Sequence, residues 1–262
     1  MTFLDRIMEQ RRADVIDASA RVPKAKLLAA AHDRKHHSLV NALERRTGTS
    51  IIAEVKRASP SAGVIRTNYD PEHIAATYQR AGATAISVLT EPHHFGGSPD
   101  HLRAVRRVVS LPVLRKDFVC DSYQVCEAAA WGADVVLLIA AVLKPPVLKS
   151  LYEEAEELCL DVLVEIHDES ELDAALACKH AIIGVNSRNL ATLKTDLAVA
   201  RRLAALLPPD RVFIAESGIK SRSDIEELEK LGYDGFLVGE TLMKDENPAG
   251  KLAELLAGSA HP

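Results

Sequence analysis

From Ile51 onward, short apolar runs alternate with longer stretches whose apolar residues recur at helical spacing. The runs begin near Ile51, Thr84, Pro112, Asp134, Val162, Ala181, Arg211 and Gly235, and each has the length of a single strand. Between them, "DPEHIAATYQRAG", "DSYQVCEAAAWG" and "SRSDIEELEKLG" have the period of amphipathic helices. Gly82, Gly132 and Gly232 stand where those helices should stop, because a left-handed C-cap disfavours a Cβ. Every second run lies about fifty residues further on, the length of roughly two βα units. Eight such units predict an α/β fold, a closed (β/α)8 TIM barrel. An open doubly wound sheet would more often carry a GxGxxG turn after its first strand, and the chain has none.

The segment before Ile51 follows a different period. Leu4, Ile7, Met8 and Val15 fall on one helical face, and Thr2 with Asp5 reads as a capping box with Asp in place of Glu. A second helix is expected from Lys24 to His32, after Pro23, and a third from Ser38 to Arg46. The chain therefore reads as one domain over 1–262, with an N-terminal helical extension at 1–48 and the barrel at 49–262.

Composition narrows the function classes. In 262 residues, 47% hydrophobic and 26% charged content is ordinary for a globular protein. A net charge of −5 argues against a nucleic-acid surface. The longest apolar run, around "VVLLIAAVL", is too short for a membrane span. The first twenty residues lack a signal-peptide core and mix acids among their arginines, so a cytoplasmic location is expected. Cys120, Cys126, Cys159 and Cys178 form no CxxC and are read as reduced structural thiols. His36-His37 and His93-His94 have no ligand set at metal spacing and are read as surface loop residues rather than metal ligands. The expected partner is a small molecule, with the chain a monomer or weak oligomer.

Polar residues at the strand ends carry the chemistry. In a barrel, the C-terminal ends of the strands form the site. The first strand, in "IIAEVKRASPSAG", offers Glu54 and Lys56 two apart and so on one face. The third offers Lys116, the fifth Glu165, the sixth Asn186 and Arg188, and the seventh Glu216 and Ser217. Any one of these alone reads as a rim salt bridge. Three carboxylates and two lysines crowded at one mouth would lose hydration and shift one another's pKa values, which folds maintain chiefly for function. A purely structural ion network is the alternative. The turns "ESGI" and "VGETL" place backbone N–H groups of Gly218, Gly239 and Glu240 where barrels hold phosphate. Phe95, Phe118, Leu137 and Leu190 supply apolar wall for a ring.

"IIAEVKRASPSAGVI" resembles the signature of the indole-3-glycerol-phosphate synthases, and the resemblance continues through "ISVLTE", "HFGGS", "LPVLRKDFVCDSYQV", "GADVVLLIA", "LVEIHDE", "IGVNSRNL", "AESGI" and "LVGETLM". It covers nearly the whole chain, including "LDRIMEQRRADV" at the start. The resemblance implies a tryptophan-pathway lyase that closes the pyrrole ring of 1-(2-carboxyphenylamino)-1-deoxyribulose 5-phosphate with loss of CO₂ and water, without metal or cofactor. It implies Lys116 as the general acid, with Glu165 and Glu54 as acid/base carboxylates. Lys56 would pair with Glu54 and with a substrate anion. Asn186, Arg188 and Glu216 would position the anthranilate carboxylate and sugar hydroxyls, and Ser59, Ser217, Gly218, Gly239 and Glu240 would surround the phosphate. For the acid, the expected route is a lysine made acidic by neighbouring cations or desolvation. Dehydration is expected to draw its proton from a carboxylic acid kept partly protonated. Two other readings stand beside this one: a Schiff-base aldolase-type barrel using Lys56 or Lys116, and a non-catalytic barrel that binds a phosphorylated ligand.

Overall fold

The computed structural model describes residues 3–32, 35–45, 47–190 and 192–257. Eight parallel strands close on themselves: β1 (Ile51–Val55), β2 (Ala85–Leu89), β3 (Val113–Lys116), β4 (Val135–Ile139), β5 (Asp161–Ile166), β6 (Ile182–Asn186), β7 (Phe213–Glu216) and β8 (Gly235–Val238). Each pairs with its neighbours in sequence, and β1 closes the ring by pairing with both β2 and β8. The (β/α)8 expectation holds, with strand starts close to those read from the apolar runs.

The period of two sorts side chains into two cores. On β1, Ile51, Ala53 and Val55 pack outward among the helices, while Ile52 packs inside the barrel with Leu114, Leu163, Ile182, Ile214 and Leu237. Continuing inward from Ile52 brings Glu54 and Lys56 to the mouth. The same count places Lys116 above Leu114, Glu165 above Leu163 and Glu216 above Ile214. Apolar layers thus fill the barrel, and on β1, β3, β5 and β7 the uppermost inward positions are charged.

The outer helices are α4 (Pro71–Arg80), α5 (Pro99–Val108), α6 (Ser122–Trp131), α7 (Pro145–Glu157), α8 (Leu172–Leu176), α9 (Ala198–Ala204), α10 (Arg222–Lys230), α11 (Glu240–Lys244) and α12 (Pro248–Leu256), after α1 (Phe3–Arg21), α2 (Lys24–Ala31) and α3 (Leu39–Glu44). Asp70, Ser98 and Asp121 cap α4, α5 and α6 through the backbone N–H groups of His73, Asp100 and Tyr123. Ser221 and Asp224 form a full capping box on α10. Each such cap contributes about 1 kcal/mol. Gly82, Gly132 and Gly232 adopt φ of 95°, 90° and 96°, as the helix ends require.

The extension reaches both ends of the barrel. Ile7 and Met8 of α1 and Leu39 and Leu43 of α3 join the cluster inside the barrel, each fully or almost fully buried. Burying a side chain of this size contributes about 1.5–3 kcal/mol. At the end opposite the mouth, Asp161 at the start of β5 accepts hydrogen bonds from Ser38 Oγ and Leu39 N, which holds α3 in place. Leu4 and Val15 of the expected α1 face are half-buried, and Thr2, the expected cap, lies outside the described residues. The third helix ends at Glu44, and Arg46, its expected last residue, also lies outside them. Two features were not foreseen: an antiparallel ribbon of Ala58–Ser59 with Gly63–Val64, and a second helix, α12, after the short one that follows β8. Among the described residues no helix is long and apolar enough to cross a membrane.

Candidate active site

At the C-terminal mouth, the ammonium of Lys116 lies 2.9 Å from Glu165 Oε2 and 2.9 Å from Glu216 Oε2. The three side chains come from β3, β5 and β7, alternate strands whose inward positions share one level. Burial alone would lower the lysine pKa, but Glu165, Glu216 and Glu54 outweigh it and hold Lys116 above the ordinary lysine range. The expectation that neighbouring cations acidify Lys116 is therefore corrected: its neighbours are anions. Burial pushes the Glu165 carboxyl up, yet Lys116 and His167 overcome this and keep it well below the usual carboxylate range. Glu216 is pushed above that range by burial and by the facing Glu165, and its Oε1 has no hydrogen-bond partner. The carboxyl that most readily holds a proton here is thus Glu216 rather than Glu165.

His167 was missed in the sequence. It lies two residues past Glu165 on the same face, with Nε2 at 3.2 Å from Glu165 Oε1 and Nδ1 at 3.7 Å from Glu171 Oε2. Burial lowers its pKa, but the two carboxylates raise it to about 9. At neutral pH an imidazolium therefore faces one oxygen of Glu165 while Lys116 holds the other. The period of two in "VEIHD" was the available signal.

Glu54 and Lys56 form an ion pair of 2.6 Å, both more than nine-tenths buried. Two glycines make room for the carboxylates. A Cβ at Gly239 would stand 2.0 Å from Glu54 Oε1, and one at Gly184, in the middle of β6, would stand 2.1 Å from Glu216 Oε1. The missing side chain of Gly184 leaves the space that Glu216 occupies.

Next to the charges lies an apolar slot. The rings of Phe95 and Phe118 are 6.2 Å apart and tilted by 40°, with Leu137 and Leu190 alongside. Each ring is anchored by a buried acid that the sequence reading passed over. Glu91 accepts hydrogen bonds from the backbone N–H groups of His93, His94 and Phe95, at 2.7–2.9 Å. Asp117 accepts from Phe118 N (2.8 Å), Thr90 Oγ1 (2.6 Å), Arg115 (3.0 Å) and Arg11 of α1 (2.9 Å). The N-terminal extension is thereby tied to the loop that follows Lys116. His93 and His94 stand in the loop between β2 and α5, paired with Asp14 and Glu91, and the four cysteines are free thiols.

Across the mouth, Ser217 (φ 64°) and Gly218 (φ 87°) take left-handed conformations in succession. For Ser217 that costs about 1–2 kcal/mol, and it turns the backbone into the cavity. Asn186 accepts from Arg188 N at 2.9 Å. The guanidinium of Arg188 reaches Ser61 Oγ (3.1 Å), Leu193 O (2.9 Å) and Glu240 Oε2 (3.2 Å), bridging three loops. One cavity is lined by every candidate site residue read from the sequence except Ser59 and Glu216. Glu216 lies beneath its floor, on Lys116. Ser59 borders an adjoining pocket with Phe3, Leu4 and Ile7 of α1, and its Oγ accepts from Ala62 N.

A closed (β/α)8 barrel with an acid–base cluster, an aromatic slot and glycine turns at one mouth belongs to the TIM-barrel enzymes of small-molecule metabolism. Among solved structures, 3-hexulose-6-phosphate synthase from Salmonella typhimurium superposes with a TM-score of 0.64 at 14% identity, covering 79% of this chain and 96% of that one. KGPDC from Streptococcus mutans gives 0.61 at 12%, covering 80% and 96%. At such identities the likeness is one of fold. A sequence profile for indole-3-glycerol phosphate synthase matches residues 4–255. Indole-3-glycerol phosphate synthases from Kineococcus radiotolerans and Mycolicibacterium gilvum are each 46% identical, over 267 and 261 residues, covering 100% of this chain and 97% and 96% of theirs. That from Dehalococcoides mccartyi is 46% identical over 258 residues, covering 97% of this chain and all of the relative. The chain belongs to the indole-3-glycerol phosphate synthase family, and it is an enzyme, a carboxy-lyase.

Proposed function

We propose that the chain converts 1-(2-carboxyphenylamino)-1-deoxyribulose 5-phosphate to indole-3-glycerol phosphate, with Lys116 as the group that protonates the ketose oxygen. The observation that carries the assignment is the ammonium of Lys116 held between Glu165 and Glu216 beside the Phe95–Phe118 slot. The anthranilate ring lies in the slot, and the ring carbon bearing the carboxylate bonds to the ketose carbonyl carbon. As that bond forms, charge develops on the carbonyl oxygen, and a preorganised ammonium stabilises it. Because the oxygen becomes an alkoxide, more basic than any amine, a lysine held above its ordinary pKa still delivers its proton. The C–COO⁻ bond then breaks, its electrons return to the ring, and CO₂ leaves. The new hydroxyl departs as water after taking a second proton, while a base removes a proton from the carbon next to nitrogen. Glu165, anionic between Lys116 and His167, suits the base, and Glu216 or Glu54 suits the second acid. Overall one proton is consumed per CO₂ and water released.

Lys56, paired with Glu54, meets the substrate carboxylate or phosphate. Asn186 and Arg188 orient the carboxylate and the sugar hydroxyls, and Arg188, whose guanidinium reaches Glu240, also borders the phosphate end. The backbone N–H groups of Gly218, Gly239 and Glu240, with Ser217, surround the phosphate, and Ser59, expected among them, closes the ring end instead, from the adjoining pocket it borders with Phe95 and Phe118. The Schiff-base alternative is disfavoured because a lysine held cationic by two carboxylates is a poor nucleophile. Residues 1–262 act as one domain, 1–48 being an extension whose Arg11 supports the site. The net charge of −5 fits an enzyme that binds no nucleic acid, and we place it in the cytoplasm as a monomer or weak oligomer.

The test is the appearance of indole fluorescence from the carboxyphenylamino sugar phosphate, without added metal. Turnover with one CO₂ per indole supports the reading. No product, or a lysine adduct trapped by borohydride with the same substrate, would sink it.

A further inference from the structure

The phosphate end of the mouth already contains an anion. Glu240, the first residue of α11, places Oε2 at 3.2 Å from Arg188 Nη2 and Oε1 at 2.6 Å from Lys244 Nζ. These side chains line a surface hollow together with Gly218, Lys220, Thr241 and Ser61, next to the catalytic cavity and sharing Arg188, Gly218 and Glu240 with it. Partial burial raises the Glu240 carboxyl, but Lys244, Lys56 and Arg188 outweigh it and keep it anionic. Arg188 and Lys244, two of the cations at this end, are therefore already paired, with a single negative charge.

We propose that the Glu240 carboxylate is an internal occupant of the phosphate subsite, pairing Arg188 and Lys244 in the free enzyme and setting the subsite's preference for dianions. The inference rests on the phosphate reading given above. An arriving monoanion exchanges one singly charged partner of the cations for another and gains little Coulomb energy. A phosphate dianion offers twice the charge and three acceptor oxygens, so the exchange favours it. Glu240 has a route out, since its side chain is 30% exposed at the rim. Its backbone N–H stays in place at the start of α11 when the side chain swings away. Specificity then comes from a built-in competitor as well as from attraction.

The probes are inorganic phosphate and formate, tested at about pH 8 as inhibitors of turnover and by calorimetry, on wild type, Glu240→Gln and Glu240→Ala. In the wild type, phosphate competes with substrate and formate does not. Both variants should bind phosphate about five- to twentyfold more tightly, from two ion pairs no longer displaced and one repulsive charge removed. Formate should begin to compete, so that the preference for dianions narrows. Unchanged or weaker phosphate binding in folded variants overturns the inference, since a merely structural tie between the loops after β6 and β8 predicts weakening in both. If phosphate fails to compete in the wild type, the phosphate reading of the site falls, and the role of Glu240 falls with it.

Discussion

Replacing Lys116 by Met removes the cation between two buried carboxylates and leaves their backbone positions intact. At 2.9 Å, each contact has a gross attraction of about 6 kcal/mol at an effective dielectric of about 20. Desolvation of the lysine and repulsion between the carboxylates offset much of this, and removing one partner of such a buried set costs about 3–5 kcal/mol net. The loss depends on pH, and its sign follows from the carboxyl pKa values. In the wild type, Glu165 is held below its unfolded value, so its stabilisation is present above the ordinary carboxylate range and is lost as pH falls through the folded pKa. Glu216 is already raised to about 7 in the wild type and favours acidification there too; in the variant Glu165 also loses its cation, so its folded pKa turns from below to above the unfolded one, and protonation on acidification relieves the added strain. The stability deficit should therefore be largest near pH 8 and shrink by about half or more near pH 5. Turnover should fall about 10²–10⁴-fold, the range for loss of a general acid, with KM changed less than about threefold. Indole fluorescence gives the rates, and denaturant unfolding at the two pH values gives the deficit. Activity within tenfold of wild type, or a deficit equal at both pH values, refutes the reasoning.

Gly184→Ala puts a methyl group where Glu216 Oε1 lies, 2.1 Å away; it should cost about 1–3 kcal/mol in denaturant unfolding and lower kcat at least about tenfold by displacing Glu216 from Lys116. Arg11→Met leaves Asp117 with Arg115 and Thr90 but strips its tie to α1, so unfolding should show a loss of about 3 kcal/mol, and KM should rise as Phe118 loosens. For His167→Asn, the raised His167 pKa fixes the sign: the wild-type advantage in thermal midpoint should be full below about pH 6.5 and fade as pH rises through about 9. An advantage that grows across that window would refute the His167–Glu165 pair.

The barrel was legible because its determinants are local. Period-two runs, helix caps and terminal glycines each act within a few residues, and their regular spacing implied closure. The placement of Glu54 beside Lys56 was legible for the same reason, as both follow from counting along one strand. The cluster's electrostatics were not. Lys116, Glu165 and Glu216 are 49 and 51 residues apart in the chain, and only β5 and β7 meeting β3 across the barrel decide that the lysine faces anions. Gly184, Glu91 and Asp117 were passed over because each acts through a partner on another element or on a backbone turn, whereas His167, whose partners Glu165 and Glu171 are local, was legible from the period of two. The sequence by itself determined the period of the strands, the inward face and the residue types at the mouth. Which charges meet, and so which carboxyl holds a proton, was decided by ring closure, because Coulomb energy depends on distance in space and not along the chain.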